Sequence, residues 1–380
     1  IGLGILDILF LPLLMFFVFH HLVVTNASKM QLGIPFFLLE KKSEASKHSR
    51  SIGIHPPSLN LFKKNGFLDA FLEAGNRVMG GQVYSNKNFL GSLSFQECPA
   101  PFQYVLTLPQ FQTETILEAE LVKIGGNTHF YRNVSGIQIL KDDSLPLISW
   151  NQDETHFEQQ FSYVIDACGK NSPFREYLGF SFNEEKYPDS YVMADFERTT
   201  QAENQALIFA DAEGIIESFP LPGNIQRWVL KTDSYGEIDS IQEFSKRIQE
   251  RTCHSIDENT CTMFNSFGVQ KASATSFVNG RFILCGDSAH VVSPIGGQGM
   301  NLAWLNAETL VDCFIEKKLP DYEMIAKQRW QTAVKRSEFN MFTGRRSSFG
   351  VHQLKNLGIK LVLSPLFSRF FANQFTMQGF

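Results

Sequence analysis

Residues 282–310, FILCGDSAHVVSPIGGQGMNLAWLNAETL, decide the fold. They open with Phe282-Ile283-Leu284-Cys285, an apolar run of the length and make-up of a buried strand. Gly286 and Asp287 end that run, and a loop with Pro294 and the glycines Gly296, Gly297 and Gly299 follows. From Met300 onward, apolar residues at Leu302, Leu305 and Leu310 predict a helix. A strand that delivers one carboxylate into a glycine-rich loop at a helix N-terminus suits a phosphorylated or anionic cofactor. The glycines let backbone N–H groups approach closely, and the helix end adds partial positive charge. Asp287 itself repels a phosphate, so its expected partner is a ribityl or ribose hydroxyl.

The segment GDSAHVVSPIGGQGMN, residues 286–301, resembles the second flavin-contacting motif of the FAD-dependent aromatic hydroxylases. These are the class A flavoprotein monooxygenases, relatives of para-hydroxybenzoate and phenol hydroxylases. The resemblance implies that Asp287 binds the ribityl chain and that the loop through Pro294, Gly297, Gly299, Met300 and Asn301 lies against the isoalloxazine ring. It places Gly286 at the cofactor as well. One position departs from the family pattern, with Asn306 where an Asp is common.

Composition sets outer bounds. At 380 residues the chain is long enough for two domains or one large α/β unit. A net charge of −5 gives no basic field for nucleic acid. The six cysteines, Cys98, Cys168, Cys253, Cys261, Cys285 and Cys313, form no C-x-x-C pair. Reduced thiols in a cytoplasmic setting are therefore expected, with neither a disulfide framework nor a metal site.

The N-terminal region matches the family on both sides of a gap. Ile5-Leu6-Asp7-Ile8-Leu9 resembles the start of the first Rossmann strand, and residues 22–40 resemble the first helix, the second strand and its terminal acid. Between them the family carries a G-x-G-x-x-G turn. This chain has PLLMFFVFHH at residues 12–21, without a glycine. Glycines of that turn allow the tight backbone path and the approach of the pyrophosphate, and Phe16, Phe17 and Phe19 put bulk in its place. A corrupted or decayed phosphate turn is the expectation; a membrane tether through residues 1–24 is the alternative. With no basic n-region and no small-residue cleavage site, a secretory signal is not expected.

Other cofactor candidates follow from the same resemblance. Glu40 ends the apolar run of residues 34–39, where an acid accepts hydrogen bonds from the adenosine ribose. Ser49-Arg50-Ser51-Ile52-Gly53-Ile54-His55-Pro56 is similar to a segment whose Arg lies near flavin and pyrophosphate, which implicates Arg50. Gln110 matches a Gln that contacts the flavin, ahead of a helix that Thr113 or its neighbours are expected to cap. The run from Val164 to Arg175 resembles a further FAD motif, with Cys168 in place of an Asp; a small packed thiol is expected there. Residues 58–71 read as one amphipathic helix, and residues 128–140 and 148–165 as antiparallel strands. Residues 354–371 are apolar and basic, expected to pack against the flavin domain, with a membrane surface as the alternative.

Together these readings predict an α/β protein. A Rossmann-like FAD-binding domain (residues 1–74, 100–178 and 266–380) is interrupted by a mostly antiparallel substrate domain (75–99 and 179–265), and C-terminal helices follow. The resemblance implies an FAD-dependent monooxygenase in which NAD(P)H reduces FAD and one oxygen atom of O2 enters an aromatic or polyketide-like small molecule. A non-catalytic relative with impaired FAD binding and a membrane-tethered flavin oxidoreductase are the alternatives. No side chain stands out as the catalytic acid or base; His55 and His290 are the nearest, and each is expected to be structural.

Overall fold

The computed structural model describes residues 8–11, 36–42, 51–124, 128–131, 134–140 and 145–380. The chain begins with strands β1 (Ile8–Leu11), β2 (Phe36–Leu39) and β3 (Gly53–Ile54), then helices α1 (Pro56–Asn65) and α2 (Leu68–Ala74). Strands β4 (Asn76–Val78), β5 (Gly80–Ser85), β6 (Asn88–Ser94) and β7 (Val105–Thr107) lead to α3 (Gln110–Ile124). Next come β8 (Thr128–Tyr131), β9 (Val134–Leu140), β10 (Leu147–Gln152), β11 (Thr155–Gln160) and β12 (Tyr163–Asp166). The long β13 (Phe182–Glu197), β14 (Ala206–Asp211), β15 (Gly214–Leu221) and β16 (Ile225–Thr232) precede α4 (Ile241–Thr252). After β17 (Met263–Ala274), β18 (Val278–Asn279), β19 (Phe282–Leu284) and β20 (His290–Val291) come α5 (Gln298–Ile315), α6 (Leu319–Gly344), α7 (Phe349–Val362) and α8 (Ser368–Phe375).

Two large sheets organise the described residues. The first has the order β18-β19-β12-β1-β2-β8, with β19, β12, β1, β2 and β8 parallel. The strand of Ile283 lies in one sheet with the strand of Phe37. Helix α5 covers this sheet; Trp304, fully buried, meets the Phe62 ring edge-on at 5.0 Å, and Phe62 stacks on Phe71 at 4.4 Å. Such ring pairs add roughly 0.5–1.5 kcal/mol each beyond their buried area. The second sheet has the order β20-β17-β13-β16-β15-β14-β5-β6 and is antiparallel except where β14 meets β5. Its β17 runs across residue 265, the expected division between domains.

Several local expectations change. The helix expected over residues 58–71 is two helices, because Gly66 turns left-handed (φ 82°) and its N–H returns to the Lys63 carbonyl. Helix α3 begins at Gln110, with the Pro109 carbonyl accepting from Gln112 and Thr113, so Thr113 lies inside it rather than capping it. Strands β8 and β12 are parallel members of the first sheet, while β9, β10 and β11 form the antiparallel set. The apolar and basic segment 354–371 ends α7 and opens α8, with a break at residues 363–367. It packs on β6 of the second sheet through Leu363 and Ala372, and also on α6 of the expected flavin domain, where Phe371 stacks on Phe339 at 6.2 Å and Lys355 lies 5.4 Å from the Phe342 ring. Its Leu354, Leu357 and Phe370 are exposed. Among the described residues no helix is long and apolar enough to cross a membrane. The expectations for residues 12–21 lie outside the described residues.

Candidate active site

Parallel strands β2, β12 and β19 end at one edge of the first sheet and deliver Glu40, Asp166 and the pair Gly286-Asp287 to it. A single-turn 3-10 helix over Gly286–Ser288 follows β19. Buried Ser288 fastens that turn to the end of β12. Its Oγ donates to Asp166 Oδ1 at 3.0 Å and accepts from the Gly169 N–H at 2.9 Å. Asp166 also accepts from the Cys168 N–H at 2.9 Å and from the Ser172 hydroxyl. Arg175 closes the arrangement by donating to the Ser288 carbonyl at 3.0 Å. Burial and the Asp166 charge hold the Cys168 thiol protonated, as a packed thiol rather than a nucleophile.

Asp287 is the residue this lattice leaves open. It is exposed between buried Gly286 and buried Ser288 and makes no hydrogen bond among the described residues. Solvent reaches the carboxylate, yet protein surrounds it. That poor solvation pushes its pKa up to about 6, against the pull of Lys170.

Across from it, the glycine-rich loop runs into α5. The Gly297 N–H returns to the Pro294 carbonyl at 2.9 Å, and Gly297 itself caps the helix in the left-handed region (φ 66°) with no side-chain cap. The first-turn N–H groups of this long buried helix therefore face the exposed Pro294-Gly296 surface with their partial positive charge. Asn301, fully buried, locks the loop: its Nδ2 donates to the carbonyls of Gly53 (2.8 Å) and Gly297 (2.9 Å), and its Oδ1 accepts from the His55 N–H (2.8 Å). His55 packs beneath, 3.3 Å from where a Cβ on Gly297 would stand. Burial chiefly, with the Arg336 charge, pulls its pKa down to about 4.

The predicted residues thus fall into groups. Gly286 and Asp287 sit at the sheet edge with Glu40, which is buried at the tip of β2 and accepts from the Lys42 N–H at 2.9 Å. In the sheet β1 lies between β2 and β12, so Glu40 and Asp166 stand two strands apart on the same edge. Pro294, Gly297, Gly299, Met300 and Asn301 form the loop and the start of α5. The Met300 side chain joins the core of the first sheet and the Asn301 side chain is spent on protein partners, so both offer only backbone to a ligand. Gln110 bonds to Glu114 at 2.9 Å and receives the Ser51 N–H at 3.5 Å, which puts it beside the segment following Arg50; Arg50 itself lies outside the described residues. Both histidines are structural: His290 Nε2 and Asn306 Nδ2 are 2.7 Å apart in the core, and burial lowers the His290 pKa to about 4. Sequence reasoning did not single out Asp166, the polar last residue of β12, or Ser288, the last residue of the turn that follows β19. Among the described residues no cluster of His, Cys, Asp or Glu could hold a metal ion.

Comparison with known proteins agrees with this architecture. A family model described as FAD binding domain matches residues 30–317. Rifampicin monooxygenase of Streptomyces venezuelae is 25% identical over 285 residues, covering 73% of this chain and 58% of the relative. Pentachlorophenol 4-monooxygenase of Sphingobium chlorophenolicum is 25% identical over 304 residues, covering 74% and 54%. The chain therefore spans a little over half the length of these curated relatives. Among solved structures, p-nitrophenol 4-monooxygenase from Pseudomonas putida DLL-E4 superposes with a TM-score of 0.85 at 18% identity, covering 98% of both chains. Aklavinone-11 hydroxylase in a ternary complex with FAD and aklavinone gives a TM-score of 0.74 at 16% identity, covering 91% of this chain and 70% of that one. Neither alternative expected from the sequence, a non-catalytic relative or a membrane-tethered oxidoreductase, finds support in these matches.

Proposed function

The chain belongs to the FAD-binding-domain family of class A flavoprotein monooxygenases, and from that premise we propose that it hydroxylates an aromatic or polyketide-like small molecule with NAD(P)H and O2. Asp287 carries the assignment: an unpartnered, accessible carboxylate stands where a polyol hydroxyl would complete it. The donor set fits FAD. Asp287 would hold the ribityl hydroxyls, with the Gly286 backbone beside it, and Glu40 the adenosine ribose. The backbone of Pro294, Gly297, Gly299, Met300 and Asn301 at the positive pole of α5 would lie along the ring, with Gln110 at its side. Arg50 would meet the pyrophosphate.

When bound, FAD supplies the electron transfer from NAD(P)H to O2 and the oxygen insertion. The protein's part is to orient the ring, exclude water and choose the substrate. Residues 1–74, 100–178 and 266–380 would form the flavin domain, and 75–99 and 179–265 the substrate domain. A cytoplasmic setting belongs to the same proposal, supported by six unpaired cysteines.

Asp287→Ala tests the assignment. Losing one hydrogen bond to a charged group costs about 1.5–3 kcal/mol, so the variant should hold flavin roughly ten- to hundred-fold more weakly while remaining folded. Unchanged flavin content in folded Asp287→Ala protein would refute it.

A further inference from the structure

One face of the second sheet carries polar groups with no part in holding a flavin. Strand pairing fixes which residues share it: Glu217 lies opposite Val229 of β16 and Ile208 of β14, and Val229 lies opposite Met193 of β13. On this face Tyr191, Met193, Val229, Ile215 and Phe219 pack with Ile295 of the glycine-rich loop and Met341 of α6. The other face, with Val192, Trp228 and Leu230, packs on Phe244 and Ile248 of α4. Glu217 therefore stands on the side turned toward the loop.

Its surroundings are specific. Glu217 is partly exposed and makes no hydrogen bond or ion pair among the described residues. The cations on this face are engaged. Arg227 holds Asp195 through two contacts of 2.7 Å; Lys231 lies 3.8 Å from Asp189, which Arg345 also grips at 2.6 Å; Lys271 bonds Glu338 at 2.9 Å. The neighbouring Tyr191 hydroxyl is buried without a partner, and burial with the charges of Glu217 and Asp189 keeps that phenol protonated.

We infer that Glu217 selects a neutral, hydroxyl-bearing aromatic substrate over an aromatic carboxylate, by accepting a hydrogen bond from the substrate O–H. This rests on the flavin reading above, because the loop facing Glu217 is the one assigned to the ring. A hydroxyl donor would complete the carboxylate with a charge-assisted bond. A carboxylate ligand would meet a like charge on a poorly solvated face whose cations are already paired with other acids. Burial pushes the Glu217 pKa up to about 7. Selection is therefore full above that pH and fades as pH falls through it, when the protonated carboxyl no longer repels an anion.

The experiment is calorimetric titration of the flavin-loaded full chain with 1-naphthol and with 1-naphthoate at about pH 8, with flavin content read in parallel by absorbance. Naphthol should bind at least about ten-fold tighter, a gap of about 1.4 kcal/mol. Wild-type affinity for naphthoate should rise as pH is lowered through about 7. Glu217→Gln should erase both the preference and the pH response while flavin content stays the same. Equal binding, a preference for naphthoate, or binding of neither probe by flavin-loaded protein overturns the inference, as does a Gln variant that keeps the preference. Should that variant fail to fold, the wild-type pH response alone decides. Protein that purifies without flavin yet prefers naphthol refutes the flavin reading and leaves the role of Glu217 standing.

Discussion

Asn301→Ala probes how the glycine-rich loop is held, and its cost can be worked from three contacts. The side chain is fully buried and bridges the His55 N–H, the Gly53 carbonyl and the Gly297 carbonyl at 2.8–2.9 Å. Alanine removes all three bonds and leaves one backbone donor and one acceptor unpaired in a buried site, with a second acceptor, the Gly297 carbonyl, part-buried. A net bond is worth about 1 kcal/mol, and an orphaned buried group costs about 1–3 kcal/mol. Allowing for partial relaxation, a loss of roughly 3–5 kcal/mol of unfolding free energy is expected. Asn301→Asp should be little better, because it keeps the acceptor for His55 but sets a carboxylate against two carbonyl oxygens. The assay is urea unfolding of wild type and both variants, with flavin content measured on the same samples. A destabilisation below about 1 kcal/mol for the alanine variant, with flavin retained, would mean that the loop is held by other contacts and that this accounting is wrong.

Acid should weaken the fold through His55 and His290. Both pKa values fall from 6.5 to about 4 on burial, so the unfolded chain takes up protons first and stability is lost as pH drops from 6.5 to about 4. At 1.36 kcal/mol per unit each contributes up to about 3 kcal/mol, and unfolding midpoints at about pH 7 and about pH 4.5 should converge in the His55→Gln and His290→Gln variants. In the second sheet, Arg227→Met strands the Asp195 carboxylate, only 7% exposed, and should destabilise by about 3–5 kcal/mol. The double variant Arg227→Met/Asp195→Leu should recover most of that loss, and a double variant as unstable as the single one would count against the pairing.

How far the sequence disclosed the fold depends on whether local chemistry or distant pairing decides each element. The strand at Phe282, the turn at Gly286 and the start of α5 were legible because each rests on neighbours in sequence: an apolar run, a glycine, then helical spacing. The break at Gly66 was equally local, and the apolar residues on both sides masked it. The orientation of β8 and β12 was not local at all. A short apolar strand reads the same beside a parallel or an antiparallel neighbour, and its place was settled by β2 and β1. The site divides the same way. Asp287 and the loop glycines could be named because they follow a strand and open a helix. The anchoring roles of Ser288 and Asn301 depend on partners 122 and 248 residues away.

The inward-facing residues of the second sheet were hidden for a different reason. A half-exposed strand announces its inward side by alternating apolar and polar residues. In β13 residues 189–196 are buried without interruption, because α4 covers one face and the glycine-rich loop with α6 covers the other. With both faces dry, Tyr191, Val192, Met193 and Ala194 read as one continuous apolar run, and nothing in it marks odd from even. Glu217 is the exception that carries information. A charged residue set in β15 between Ile216 and Ser218, both buried, must either be paired or look into a space that solvent or a ligand can enter. Its register against Val229 puts that space on the loop side. A carboxylate left unpaired there by a sheet that has paired Asp189 and Asp195 is therefore better understood as awaiting a donor than as a defect of packing.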